Sequence, residues 1–148
     1  MPAFEDEIVQ EARRWVGTPF HHRASACGSG ADCLGLLRGL WRRFYGAEPA
    51  PMPPYTRDWS EAAGQEHLWQ GLAAHMVEKP ASSARRGDVI LMRMRDKGVA
   101  KHLGVQSSLG SQPQFIHAFW GHGVVESALS TPWARRVVAR FEFPDRRV

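Results

Sequence analysis

Cys33 is the residue in this chain best placed to act as a nucleophile. It follows Asp32 where a glycine-rich loop, Gly28-Ser29-Gly30, gives way to an apolar run that continues to Tyr45. A thiol in the first turn of a helix feels the positive end of the helix dipole and backbone N–H groups without intrahelical partners, and both favour thiolate. The same N–H groups are able to hold an oxyanion, so one location offers nucleophile and transition-state stabiliser together. The competing reading is a small buried apolar residue, a common role for cysteine. Cys27, inside the loop, reads as a structural or incidental thiol.

A thiol nucleophile needs a base, usually an imidazole oriented by a third group. Of the seven histidines, His67 and His75 fall on an expected amphipathic helix, His102 opens the β-like run HLGVQ, and His117 sits in FIHAF. A hairpin register with 102 opposite 117 places the turn at Leu109-Gly110. The two rings would then be cross-strand neighbours on one face. A lone strand histidine is more often satisfied by hydrogen bonds in a core. Two aligned histidines beside a helix-start cysteine make a Cys-His-His triad the sharper reading. The rival chemistry is a metal hydrolase built from His21, His22, His102, His117 or His122. No HExxH-type helix supports it, and Cys27 and Cys33 do not have zinc-knuckle spacing. No metal and no cofactor is expected.

The elements that must position these groups come as helices first and strands after. Phe4, Ile8, Ala12 and Trp15 recur at helical spacing over Phe4–Val16, with acidic residues early and arginines late, the order that complements a helix dipole. Gly17-Thr18-Pro19 stops that helix. Asp32 is the natural N-cap of a second helix, Cys33–Tyr45, which Gly46 ends. Gly35 and Gly39 lie on one side of it, and close packing would offset what glycine costs a helix. Pro49, Pro51, Pro53 and Pro54 read as an extended crossover. A third helix is expected over Glu61–Val77, with Leu68, Leu72 and Met76 inward. Five β-like runs follow: Asp88–Met94, His102–Ser107, Gln114–Phe119, Val124–Ala128 and Arg136–Phe143. This order predicts an α+β domain over residues 1–148, a mostly antiparallel five-stranded sheet packed on N-terminal helices.

Composition removes other classes. The 148 residues are 43% hydrophobic and 23% charged, ordinary globular usage that excludes a disordered or fibrous chain. No apolar run approaches the roughly 20 residues of a membrane span, so membrane insertion is not expected. The acidic start, MPAFEDEIVQ, lacks the basic and apolar regions of a signal peptide, which predicts synthesis in the cytoplasm. The net charge of +4 is spread as pairs, Arg13-Arg14, Arg42-Arg43, Arg85-Arg86, Arg135-Arg136 and Arg146-Arg147. Such pairs read as solvated faces, and no specific nucleic-acid binding is expected.

The segment WVGTPFHHRASACGSGADCLGL resembles that of the NlpC-type, papain-like cell-wall peptidases, whose hallmark is a GTPY stretch followed by DCSG. RRGDVILM is similar to their PGDL-type strand, HLGVQ to HVGIY, and FIHA to their "iHa" strand, in order from Arg14 to Glu126. DCLG in place of DCSG resembles the short phage and gene-transfer-agent members. The resemblance implies a papain-like fold with Cys33 as nucleophile, His102 as general base and His117 orienting its ring. It implies hydrolysis of amide bonds in peptidoglycan stem peptides, commonly between D-glutamate and a diamino acid. Asp32 would lie near the substrate's amino group, with an N-cap carboxylate as the other reading of that residue. Leu34 replaces the serine of DCSG and Phe20 the tyrosine of GTPY, so a hydroxyl contact to substrate and a phenol hydrogen bond to the site are missing. His22, or the adjacent His21, is the candidate replacement donor, with a solvated loop histidine as the other reading.

A wall enzyme without an export signal needs a carrier. The resemblance makes that carrier a phage-like tail tip or baseplate, whose proteins would be the partners. The chain would then travel in the virion and act in the periplasm or cell wall. The alternative is a non-catalytic structural tail or baseplate protein that keeps the peptidase fold.

Overall fold

The computed structural model describes residues 3–49, 66–95 and 97–145. Helix α1 spans Phe4–Arg14, with Glu5, Asp6 and Glu7 in its first turn, Arg13 and Arg14 in its last, and Ile8, Val9 and Ala12 buried. Helix α2 is Cys33–Tyr45, capped by Asp32 and closed by Gly46 at φ +86°, a left-handed position suited to glycine. Between them, β1 (Ser25–Ala26) and β2 (Gly30–Ala31) form a two-residue ladder inside the segment expected as loop. Helix α3 is His67–His75, followed by β3 (Val77–Lys79), β4 (Val89–Arg93), β5 (Ala100–Ser108), β6 (Gln114–Phe119) and β7 (Gly123–Ala128). A one-turn helix α4 (Thr131–Ala134) and β8 (Val137–Glu142) complete the order.

The main sheet is antiparallel in the order β3-β8-β4-β5-β6-β7. The α+β architecture stands, but the sheet has six strands where five were expected. The extra strand, Val77–Lys79, takes the place expected to end the third helix, which stops at His75. Three residues are too few to show a strand period. Their place at the sheet edge is held by distant partners: Lys79 Nζ lies 2.8 Å from Glu142 Oε1 and 2.9 Å from Asp88 Oδ1. The expected helix start at 61–65, Pro51, Pro53, Pro54 and the Arg146-Arg147 pair lie outside the described residues.

Strand alternation gives the sheet two different buried faces. Leu103, Val105, Ile116, Ala118 and Val124 join Ile8, Ala12, Leu36, Leu37 and Leu40 in the helix-side core. Each leucine, isoleucine or valine among them contributes about 1.5–3 kcal/mol by leaving water. Close approach of α2 depends on its two glycines. A Cβ at Gly35 would lie 1.8 Å from Ala24 O, and one at Gly39 would lie 2.1 Å from Trp15 Cζ2. On the other face Ile90, Met92 and Phe115 pack beneath Trp133 of α4 and Val137. Next to them Arg140 bonds Asp88 Oδ2 and Gln106 Oε1, each at 3.0 Å, all three nearly inaccessible.

Most of the paired arginines meet carboxylates. Arg13 bonds Glu126, Arg14 and Arg43 reach Glu11, Arg42 reaches Glu48, Arg85 bonds Glu5 and Arg86 bonds Asp6. Among the described residues, no helix is long and apolar enough to cross a membrane.

Candidate active site

Asp32 and the first turn of α2 place Cys33. Asp32 Oδ1 accepts the Gly35 amide at 2.7 Å and Oδ2 accepts the Arg23 amide at 2.7 Å, so the buried carboxylate clamps the incoming loop onto the helix start. The Leu36 amide goes to the Asp32 carbonyl at 2.9 Å. The amides of Cys33 and Leu34, in the first turn, pull the thiol's pKa down.

The half-buried thiol sits against strand β5. Its Sγ is 3.8 Å from the Lys101 carbonyl oxygen and also meets the Leu103 amide, the two backbone positions that bracket His102. These groups are accessible for a topological reason. Gln106 spends its N–H and C=O on Asp88 and Gly87, on the β4 side. Alternation along the strand turns those of Leu103 toward β6, and a β-bulge at Lys101, where β5 carries one residue more than β4, brings the Lys101 carbonyl to the same edge. Pairing of β5 with β6 starts only at Val105↔Ile116, so beside 101–103 that edge is open, and Cys33 occupies it.

His102 and His117 are joined directly: His102 Nε2 lies 2.8 Å from His117 Nδ1. The expected hairpin needs one correction. A register with 102 opposite 117 would set Val105 opposite Gln114, whereas Val105 pairs with Ile116 and a bulge intervenes between Gln106 and Ser108. The turn is accordingly the five-residue segment 109–113 instead of a tight Leu109-Gly110 turn. An offset of two keeps every side chain on its expected face, so the histidines meet on a diagonal. Gly104 makes the diagonal reach possible. A Cβ there would lie 2.8 Å from Phe115 Cδ2, 2.9 Å from Ile116 O and 3.1 Å from His117 Cβ.

Five further contacts escape a reading of local sequence. His117 Nε2 lies 3.0 Å from Ser127 Oγ on β7. Phe115 stacks on the His117 ring with centroids 4.1 Å apart, and Trp133 meets that ring edge-on at 5.1 Å. Trp133 also covers His102 at 5.9 Å, while Arg136 lies over the indole at 5.2 Å. Alternation of residues 115, 117 and 119 on one face is the only sequence signal for this aromatic enclosure.

The enclosure fixes protonation. Burial pushes His102 down to about 3, helped by His117 and Arg136. Burial pushes His117 down to about 4, helped by His122. Burial and then the Asp32 carboxylate push the Cys33 thiol up to about 12, against the pull of the Leu103, Leu34 and Cys33 amides. The helix start acts in the expected direction, but desolvation outweighs it. Burial thus works against the thiolate that the helix start favours, and against charged imidazoles.

The remaining expected site residues divide. Phe20 and His22 line a cleft of about 620 Å³ together with His21, Trp120 and His122, and the Phe20 and Trp120 rings are stacked at 6.4 Å. His122 stacks on Phe119 at 5.2 Å, and Phe119 packs on both catalytic-candidate histidines, so cleft and histidine pair adjoin. Leu34 is buried in the helix-side core, and Asp32 has both oxygens on backbone amides. Cys27 is exposed and its Sγ is 3.4 Å from the Arg14 carbonyl. Among the described residues, no group of three or more His, Cys, Asp or Glu is arranged to hold a metal ion.

Comparison with known proteins gives this geometry a context. The murein DD-endopeptidase/murein LD-carboxypeptidase MepS of Escherichia coli K12 is 26% identical over 143 residues, 92% of this chain and 64% of that protein. The chain thus spans just under two thirds of the length of the curated relatives it matches. Among solved structures, the NlpC/p60 domain of the peptidoglycan hydrolase SagA superposes with a TM-score of 0.66 at 20% identity, covering 95% of this chain and 100% of that one. An NlpC/P60 family protein from Bacillus cereus gives 0.64 at 18%, covering 96% of this chain and 40% of that one. These structural likenesses establish the fold. The sequence model of the NlpC/P60 family matches residues 17–142, from the GTP turn through the last strand, and the chain belongs to that family.

Proposed function

We propose that this chain is a thiol endopeptidase that hydrolyses amide bonds in peptidoglycan stem peptides. Residues 1–148 would work as one catalytic domain, with Cys33 as nucleophile, His102 as general base and His117 as its orienting partner. The observation that carries the reading is the 2.8 Å contact of His102 Nε2 with His117 Nδ1 beside a thiol seated on the backbone flanking His102. With Nε2 engaged, Nδ1 is the His102 nitrogen left for proton transfer. The Cys33 proton passes to it as sulfur bonds to the substrate carbonyl carbon, and the Cys33 and Leu34 amides hold the oxyanion. His102 returns that proton to the amine as the C–N bond breaks. Water, deprotonated by His102, then cleaves the thioester and regenerates the thiol. Because the resting pair is neutral, proton transfer accompanies attack instead of preceding it. Phe20 and His22 are the substrate contacts, through the cleft they line. Asp32 and Leu34 serve by fixing the helix start.

The finer setting rests on the DCLG likeness to short phage and gene-transfer-agent proteins. The chain would travel at a tail tip or baseplate and open the wall locally for DNA delivery. Mass spectrometry of purified particles tests this, and their lacking the protein overturns it. The second reading, a structural tail protein with an inert site, draws on the non-ionised thiol and histidines. Digestion of defined muropeptides by wild type and Cys33→Ala, with mass analysis of products and circular dichroism of both proteins, separates the readings. We expect cleavage by wild type alone, unaffected by chelators; equal activity in a folded Cys33→Ala removes the thiol mechanism.

A further inference from the structure

We propose that Ser127 is a positioning residue that sets the tautomer of both site histidines, so that His102 presents an unprotonated Nδ1 for proton transfer. The inference rests on the endopeptidase reading for its purpose, but its geometry stands apart from it. The two imidazoles and the serine hydroxyl form one chain: His102 Nε2 to His117 Nδ1 at 2.8 Å, then His117 Nε2 to Ser127 Oγ at 3.0 Å. A neutral imidazole carries one proton, so the direction of one hydrogen bond fixes the next.

Two directions are possible. When Ser127 Oγ accepts from His117 Nε2–H, His117 Nδ1 must accept from His102 Nε2–H, and His102 Nδ1 carries a lone pair. When the serine donates instead, His117 Nδ1–H donates to His102 Nε2, and the His102 proton sits on Nδ1, where it blocks the base. The hydroxyl therefore governs whether His102 is a base or a bystander. The rings have little freedom to escape this logic. Phe115 stacks on His117 at 4.1 Å and Trp133 abuts its edge at 5.1 Å, which opposes a ring flip. Ser127 reaches His117 by the same diagonal device that joins the histidines, because β7 sets it opposite Phe115 and Val125 opposite His117. The neighbouring carboxylate, Glu126, points to the other face, where it pairs with Arg13.

The test compares wild type with Ser127→Ala and with the shape-matched pair Ser127→Thr and Ser127→Val. Long-range proton–nitrogen spectra of the 15N-histidine-labelled proteins at pH 7 read each ring's tautomer directly. Muropeptide turnover reads its consequence. We expect the Nε2–H form of both rings in wild type and Ser127→Thr. Ser127→Ala and Ser127→Val should show mixed or inverted tautomers, with kcat reduced at least about tenfold and KM unchanged. Should Ser127→Ala fold poorly, the Thr/Val pair decides, since the two differ by a hydroxyl at nearly constant volume. Ser127→Val matching Ser127→Thr in tautomer and kcat overturns the proposal, as does a wild-type His102 protonated at Nδ1. A wild-type protein inert toward every muropeptide would refute the endopeptidase reading, while the spectra would still decide the role of Ser127.

Discussion

Replacing Gly104 with alanine puts one methyl group where His117 crosses toward His102. The added carbon would sit 2.8 Å from Phe115 Cδ2, 2.9 Å from Ile116 O and 3.1 Å from His117 Cβ. Comfortable carbon–carbon contact is about 3.5–4.0 Å. Strand β6 must therefore retreat by roughly 0.5 Å or more, because the Ile116 carbonyl is backbone and the Phe115 ring is fully buried. Gly104 is not among the residues with positive φ, so the penalty is steric and not conformational. The same retreat stretches the 2.8 Å bond between the histidines beyond the ~3.2 Å limit of a good hydrogen bond. Overpacking costs about 1–3 kcal/mol and an orphaned buried polar group about 1–3 more, against about 0.4–1 returned by a stiffer unfolded chain. The expected net loss is about 1–5 kcal/mol, read as a lowered urea midpoint with unchanged m-value. Muropeptide turnover should fall at least about tenfold in the protein that remains folded. An alanine variant within about 0.5 kcal/mol of wild type and within about twofold in kcat/KM would falsify the claim that the missing side chain at 104 permits the histidine pair.

Three other outcomes follow from the same geometry. The histidines titrate near 3 and near 4 in the fold, against 6.5 for the free side chain. The unfolded chain thus binds protons in that window that the folded one refuses. Stability should be full above pH 6.5 and fall as pH drops toward 3, by up to about 1.4 kcal/mol per pH unit for each ring. Urea midpoints at pH 7, 6, 5 and 4 test this, and a His102→Asn/His117→Asn double variant should lose most of the slope; a wild-type curve no steeper than the variant's contradicts it. With the Cys33 thiol held near 12 and Cys27 exposed, mass-resolved alkylation at pH 7.5 should label Cys27 first. The reverse order would show a resting thiolate at Cys33. Asp32→Ala strips acceptors from two amides and should cost about 1–3 kcal/mol, with Asp32→Asn recovering part; an unchanged melting midpoint in Asp32→Ala refutes the clamp.

Parts of this architecture are written in local pattern, and parts are not. Helix α2 was legible to the residue because its signals are adjacent in sequence: Asp32 to cap, an apolar stripe, Gly46 to stop. Strand β6 was legible for a like reason, bounded by a Ser-Gln-Pro turn and a Trp-Gly step. The facing of His102 and His117 survived an error of two in register, because side-chain orientation depends on parity alone. Strand β3 and helix α4 were missed since three or four residues carry no measurable period, and their places are held by Lys79, Asp88 and Trp133 acting over long separations. The upward pull of burial on the Cys33 thiol was not legible, because a helix start is a local property and burial is not. Ser127 and Gly104 matter only through diagonal contacts, which appear once neighbouring strands are aligned.

The open edge of β5 bears on how this chain tolerates change. Sulfur is gripped there by a carbonyl and an amide, groups that every residue type except proline supplies alike. The thiol thus reads the backbone at 101 and 103 and not their side chains, although Leu103 is held to an apolar residue by its place in the core. What the grip does not forgive is arithmetic along the chain. Proline at 103 deletes the amide, and one residue gained or lost between 101 and 105 trades the lining groups for ones that face the other way. The grip is thus encoded in spacing more than in letters, and its characteristic failures would be insertions, deletions and prolines.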